Sequence, residues 1–164
     1  MNYVTSLEEV LWGITLVAIT VALHGCGMLA TLFTSHVLKQ GSEAPLSFLR
    51  GSAVLILASW MIVLIHLTEL LVWAAFFLWQ GAMPTASTSY YFVLMQYTTV
   101  GSGFNLPERW RLLEGMLPIA GLMTFAWSTG VLFTLAQEFQ SAQLSVIHAR
   151  RRARLAARAS LKGR

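Results

Sequence analysis

Three long apolar stretches, separated by more polar segments, dominate the chain. Residues 10–38 and 115–137 contain no Asp, Glu, Lys or Arg, and residues 51–80 contain only Glu69. A helix of roughly 20 mainly apolar residues crosses the ~30 Å hydrocarbon core of a bilayer. The pattern therefore predicts an all-α membrane protein with three transmembrane helices.

A shorter segment, residues 81–114, separates the second and third stretches and is more polar at its start. Pro84 followed by Thr85 is typical of a helix start, and about three turns of helix are expected before "TTVGSG". Because this helix is too short to span the bilayer, we expect it to be re-entrant. The segment after it should return to the same side as extended backbone. Such backbone is tolerated at membrane depth only where protein buries it or it lines a water-filled cavity. The glycines therefore indicate a pore or a binding cavity.

Composition supports the membrane interpretation and argues against an enzyme. Hydrophobic residues make up 56% of the 164 residues and charged residues 11%, about half the charged share of a soluble domain. The single Cys26 excludes an intrachain disulfide and a cysteine metal cluster. The chain has no Ser-His-Asp set, phosphate loop or cysteine pair. We expect no enzyme activity, no cofactor and no nucleic-acid partner.

The basic residues predict an orientation in the cell membrane. Most arginines lie in "HARRRARLAARASLKGR" after the third stretch, Lys39 and Arg50 flank the first turn, and the N-terminal flank carries only acids. The positive-inside rule then places the tail and the first turn in the cytoplasm and the N-terminus outside. Arg109 and Arg111 fall on the outer side in this orientation, against the rule, but the basic residues of the tail outnumber them. The tail is either a topology signal or a helix that lies on anionic lipid.

Several motifs resemble the pore module of tetrameric potassium channels. "TTVGSG" resembles their T-x-G-x-G selectivity filter, "YYFVLMQY" looks like their pore helix, and "IAGLMTFAWSTG" is similar to their pore-lining inner helix. The resemblance covers residues 85–139. The first two spans match only in layout, which is similar to that of small bacterial channel-like proteins with one helix more than the two-span minimum.

This resemblance implies a channel that conducts monovalent cations, potassium above all. It also implies a homotetramer, because four copies are needed to close a ring of backbone carbonyls around the ion. The implied filter residues are Thr98, Thr99, Val100, Gly101, Ser102 and Gly103. Gly121 stands at the place of the gating-hinge glycine. The implied cavity and gate face of the inner helix comprises Leu122, Phe125, Thr129 and Phe133, with ordinary interhelical packing as the alternative for this face. Residues 1–83 would then be a peripheral two-helix region, 84–140 the pore module and 141–164 a basic cytoplasmic tail.

The filter departs from the family pattern at two positions. Ser102 replaces a tyrosine that packs sideways against the pore-helix aromatics, and Phe104 replaces an acid. Serine cannot reach those aromatics in the same way, so we expect weak discrimination between potassium and sodium. No carboxylate lies in residues 98–107, which argues against divalent selectivity.

Some ionisable residues inside the predicted membrane spans lie at similar depth. His66 and Glu69 are three residues apart on one face of the second span, and His24 lies at similar depth in the first. A charged group at the bilayer centre costs at least ~2.5 kcal/mol, so Glu69 needs a partner. The cluster is either a structural clamp or a pH or metal sensor, since two histidines and a carboxylate match a zinc ligand set. The sensor alternative predicts a non-conducting membrane sensor or accessory subunit on a channel scaffold.

Overall fold

The computed structural model describes residues 5–40 and 48–162, and the described chain is almost entirely helical. The helices are α1 (Leu7–Gln40), α2 (Phe48–Trp79), α3 (Ala86–Tyr97) and α4 (Arg111–Lys162), with a 3₁₀ turn at Glu108–Trp110. Residues 1–4, 41–47 and 163–164, which belong to the predicted peripheral region and tail, lie outside the described residues.

The prediction of three membrane-spanning helices is confirmed in length and composition. Candidate spans cover Leu7–Lys39, Phe48–Trp79 and Glu108–Ala156. The third is longer than the 115–137 stretch because α4 continues without a break into the basic tail. Residues 131–162 contain neither glycine nor proline and are rich in Ala, Leu and Arg, which are strong helix formers. The described part of the tail is therefore a continuation of α4.

The four helices pack so that α3 lies against α2 and α4 at one end of the molecule, while α1 contacts both α2 and α4. A core of aromatic and aliphatic side chains joins these elements. Its largest fully buried members include Trp73, Phe77, Phe92, Tyr97 and Leu117. A second, smaller cluster around Met28, Ile62 and Leu135 joins α1, α2 and α4 toward the other end. The long helices thus hold α3 and the loop after it in one position.

The outward faces of α1 and α2 are also apolar. Leu29, Phe33, Trp60 and Leu64 are each more than half exposed. Monomeric soluble proteins rarely expose contiguous apolar patches of this extent, whereas lipid tails favour such a surface. These faces agree with the multi-pass membrane arrangement.

Candidate functional site

Helix α3 is short, capped and anchored to α2. Thr85 is its N-cap, and the Thr85 Oγ1 atom accepts the backbone N–H of Thr88 at 3.1 Å. The Ser89 hydroxyl donates to the main-chain carbonyl of Ala74 in α2 at 2.8 Å. The start at Thr85 and the length of 12 residues agree with the three-turn helix that the sequence predicts. The anchored helix fixes where the "TTVGSG" segment begins.

Two consecutive peptide groups after α3 are turned the same way. The backbone N–H groups of Val100 and Gly101 both donate to the carbonyl oxygen of Met95, each at 3.0 Å. Both peptides are trans, so each N–H is antiparallel to the C=O of the preceding residue. The carbonyl groups of Thr99 and Val100 therefore both point away from the end of α3. In ordinary extended backbone, successive carbonyls would point to opposite sides.

The backbone angles of this segment explain the shared direction. Thr99 has a φ of 63° and Gly101 a φ of 80°, while Val100 between them is not in the positive region. Successive N–H groups that point to one side are typical of backbone in which a left-handed residue stands next to one of negative φ. Glycine adopts a positive φ readily, but a threonine there costs on the order of 1–3 kcal/mol. The surrounding contacts hold Thr99 in this conformation despite that cost.

The next turn of the segment is held by local hydrogen bonds. The Ser102 hydroxyl donates to the carbonyl of Phe104 at 3.1 Å, and the Phe104 N–H lies 3.3 Å from the Ser102 Oγ. Phe104 as a residue is 48% exposed. Ser102 thus bonds to the backbone two residues ahead, and its hydroxyl braces the turn from within.

The chain that returns from this segment is tied down by two carboxylates. Glu114 accepts the backbone N–H of Leu106, and Glu9 of α1 accepts the N–H of Leu112 at the start of α4. A carboxylate near the first turn of a helix is also favoured by the helix dipole. The two bonds hold the end of the loop against α4 and the start of α4 against α1.

The structure brings together the three ionisable residues that the sequence singled out within the spans. His24 Nδ1 lies 2.9 Å from Glu69 Oε1, and His66 Nδ1 lies 3.4 Å from Glu69 Oε2. His24 and Glu69 are fully buried, and His66 is 9% exposed. The carboxylate therefore has the partners that its depth requires.

Tyr97, the last residue of α3, joins this cluster to the "TTVGSG" segment. Its hydroxyl donates to Glu69, lies 3.1 Å from His66 Nδ1 and lies 2.6 Å from the hydroxyl of Thr124 in α4. The sequence interpretation did not assign Tyr97 or Thr124 to this cluster. A buried tyrosine directly before the filter motif was the available signal, because a buried phenol needs a hydrogen-bond partner.

Ser128 of α4 closes the cluster into a ring. Its Oγ atom lies 3.0 Å from His66 Nε2 and 3.2 Å from His24 Nε2. The sequence interpretation did not assign Ser128 to the cluster either, although its four-residue spacing from Thr124 places both hydroxyls on one face of α4. We call the five connected side chains the polar ring: His24, Glu69, Tyr97, His66 and Ser128.

The polar ring fits hydrogen bonding better than zinc. The candidate ligand atoms of His24, His66 and Glu69 all lie within 4.8 Å of one another, and ligands ~2.0–2.1 Å from a tetrahedral zinc lie roughly 3.4 Å apart, so the hydrogen bonds and not the spacing decide against zinc. Within residues 5–40 and 48–162, every buried side-chain nitrogen or oxygen lies within hydrogen-bonding distance of a partner atom. A metal ion would have to displace these bonds, so we do not identify the three residues as metal ligands.

The inner-helix residues that the resemblance implied lie mostly on the free face of α4. Leu122 and Phe133 are 58% and 62% exposed, and Thr129 is also exposed. Phe125 differs, because its ring centroid lies 4.6 Å from that of His66 and 5.4 Å from that of Tyr97. The free face is available for a cavity, while Phe125 also covers the polar ring.

Gly121 lies on the buried face of α4 that packs against the end of α3. A Cβ atom at this position would overlap the main-chain carbonyl oxygen of Tyr97. The absence of a side chain therefore lets the end of α3 approach α4 closely. This contact gives Gly121 a packing role that does not depend on a bend in the helix.

Comparisons with protein-family models, with curated proteins and with solved structures found no match.

Proposed function

We propose that the chain is the subunit of a homotetrameric channel that conducts monovalent cations. The observation that carries this proposal is the pair of N–H bonds from Val100 and Gly101 to Met95, which directs the carbonyls of Thr99 and Val100 to one side. Carbonyl oxygens aligned in this way can replace the hydration shell of a monovalent cation when several chains surround an axis. A single chain supplies only one wall, so the function requires four copies.

The surroundings of the segment support the same proposal. The short helix α3 leads into it between two spans, as a re-entrant pore helix does, and the free face of α4 carries Leu122, Thr129 and Phe133. In a tetramer this face would line the cavity below the filter, where Phe133 could form a hydrophobic constriction that gates by dewetting. We assign the N-terminus to the outside and the basic end of α4 to the cytoplasm, beside anionic lipid.

The proposed pore discriminates weakly between potassium and sodium. Ser102 braces the turn only through the backbone of Phe104, so no side chain from this position links the outer end of the segment to α3. A filter whose width is set by few lateral contacts adapts to ions of different radius. We therefore expect appreciable sodium permeability, and the resemblance to potassium channels makes potassium the expected main permeant ion.

The test is a reversal-potential measurement on purified protein in liposomes under a potassium/sodium gradient. We expect cation currents that Gly101→Ala abolishes, because alanine is strained at a φ of 80°. The matched control is Gly115→Ala, since a Cβ atom at 115 has no neighbour within 4 Å. Absence of current in wild-type protein that is folded and tetrameric would reject the pore.

The second candidate is a non-conducting membrane sensor, and the closed polar ring is the observation that favours it. The ring is complete within one chain and needs neither a filter nor a tetramer. A sensor would keep its response to pH when Gly101 is replaced, whereas a channel would lose its current.

A further inference from the structure

The polar ring contains more hydrogen bonds than an ordinary set of protonation states can fill. It has five bonds: Glu69–His24, His24–Ser128, Ser128–His66, His66–Tyr97 and Tyr97–Glu69. Each bond needs one proton between its two atoms. Ser128, Tyr97 and each neutral histidine supply one proton, and an ionised Glu69 supplies none. Four protons then serve five bonds, and one bond is left with two lone pairs facing each other.

The hydroxyl of Thr124 does not remove this deficit. It lies 3.1 Å and 3.0 Å from the carbonyl oxygens of Ala120 and Gly121, which accept its proton. If it donates to Tyr97 instead, it supplies the proton of the Thr124–Tyr97 hydrogen bond, which is not one of the five bonds of the ring. The deficit of one proton therefore belongs to the ring.

We propose that the polar ring is a binding site for one additional proton. With that proton, whether it resides on Glu69 or a histidine, all five bonds are filled and the net charge of the ring is zero. Without it, the ring carries one negative charge in a fully buried place within the spans, where an uncompensated charge is costly. The groups that face Glu69 are His24 from α1, His66 from α2 and Tyr97 from α3, while α4 supplies hydroxyls.

The bound proton makes the stability of the protein depend on pH. Between about pH 7.5 and 9, glutamate in an unfolded chain is ionised and histidine is mostly neutral. The folded chain then binds one more proton than the unfolded chain, so the free energy of unfolding falls as pH rises. The unfolding equilibrium constant should increase about tenfold per pH unit for each subunit while the proton stays bound.

Glu69→Gln provides the sharpest test because an amide replaces the missing proton. The new amide N–H group can donate to His24 Nδ1. His24 Nε2–H then donates to the Ser128 hydroxyl oxygen, and the Ser128 hydroxyl donates to His66 Nε2. His66 Nδ1–H then donates to Tyr97, and Tyr97 donates to the amide oxygen. All five bonds are filled in one direction with neutral groups. The variant should remain folded near pH 7 and lose the pH dependence.

Tyr97→Phe is the matched control variant. Without the hydroxyl, His66 Nδ1 faces Glu69 Oε2 directly at 3.4 Å. The smaller ring has four bonds and three protons, so it still lacks one proton. This variant should be less stable than wild type at every pH but keep the tenfold slope.

The proton site is coupled to the filter segment through Tyr97, and this last step alone rests on the proposed function. Tyr97 donates to Glu69 and immediately precedes Thr98. Loss of the ring proton leaves a net negative charge in the ring to which the Tyr97 hydroxyl belongs, so we expect Tyr97, and with it the base of the segment, to shift. Wild-type current should therefore change over the pH range in which the stability slope appears, and Tyr97→Phe should remove the change in current but not the slope.

The experiment is equilibrium unfolding of the 164-residue chain in mixed detergent micelles from pH 7.5 to 9. Wild type, Glu69→Gln and Tyr97→Phe are compared, each with and without a metal chelator. A slope in wild type and Tyr97→Phe that Glu69→Gln abolishes supports the proposal. A flat wild-type profile, or a wild-type slope retained by Glu69→Gln, would overturn it. A slope that disappears with chelator and returns with added zinc would also overturn it in favour of a metal site. Because unfolding needs no conduction, the result stands apart from the test of the pore.

Discussion

The main-chain carbonyl oxygen of Tyr97 lies so close to the α-carbon of Gly121 that a Cβ atom there would overlap it. This contact joins the end of α3 to the buried face of α4 at the level of the polar ring. The Tyr97 hydroxyl thus belongs to the polar ring, while the Tyr97 backbone leads into the "TTVGSG" segment. The position of α4 and the start of the segment are therefore linked through a single residue.

Replacing Gly121 with alanine should push α3 and α4 apart. Overpacking of a buried contact costs about 1–3 kcal/mol, and here the neighbour is backbone, which cannot rotate away. Equilibrium unfolding in detergent micelles measures the loss. Gly130→Ala is the control, because a Cβ atom at 130 meets nothing within 4 Å. Equal stability of the two variants would contradict the close contact.

Glu114→Ala should release the end of the loop at Leu106 from α4. The backbone N–H of Leu106, a residue that is 4% exposed, would lose its acceptor. A buried donor without a partner costs about 1–3 kcal/mol. Unfolding should detect this loss, and hydrogen exchange of the Leu106 amide should accelerate. Glu108→Ala at an exposed position is the control, and exchange rates that match this control would count against the role of Glu114.

The assembly should contain four chains. Mass measurement in mild detergent should give a particle with four times the 18.2 kDa of one chain, because aligned carbonyls from one chain cannot close a ring around an ion. A stable monomer or dimer that retains the fold would remove the basis for the pore.

Ser102→Tyr combined with Phe104→Asp should sharpen the preference for potassium over sodium. The tyrosine ring would reach the α3 aromatics and replace the local Ser102–Phe104 turn as the brace of the outer segment. The added carboxylate should also raise current at low salt, where the Debye length is on the order of 30 Å. Reversal potentials and current at 0.01 M salt would report the two effects.

The single substitutions separate these two contributions. Phe104→Asp alone should raise current at low salt without sharpening selectivity, since it adds charge but no lateral brace. A wild-type protein that already excludes sodium strongly would show that the Ser102 turn is rigid enough by itself, and the account of the tyrosine brace would fail for this chain.

Much of the helical framework could be predicted from the sequence. The absence of charged residues from 10–38 and 115–137 predicted two spans, and the Pro84–Thr85 signal predicted the start of α3. These are local properties, set by apolar length and by which residues can cap a helix. The length of α4 was underestimated because the apolar run ends at residue 137, while helix propensity persists through the basic residues beyond it.

The polar ring could be predicted only in part. His66 and Glu69 are three residues apart on one helix, so their proximity is a local property, and His24 was included because of its depth. Tyr97 and Ser128 were missed because a tyrosine at the end of a short helix and a serine in an apolar span are common without any shared role. Their connection depends on how α3 and α4 pack against the first two helices.

By itself the sequence determined that this is an all-helical chain with three segments able to cross a membrane and a short capped helix before a glycine-rich loop. Bilayer thickness, helix propensity and capping act over a few turns, and the residues themselves encode them. The tertiary structure alone decided that Ser128 meets His24 across 104 residues of sequence and that Tyr97 lies against Gly121. Such contacts depend on the packing of four helices at once, and no local pattern contains that information.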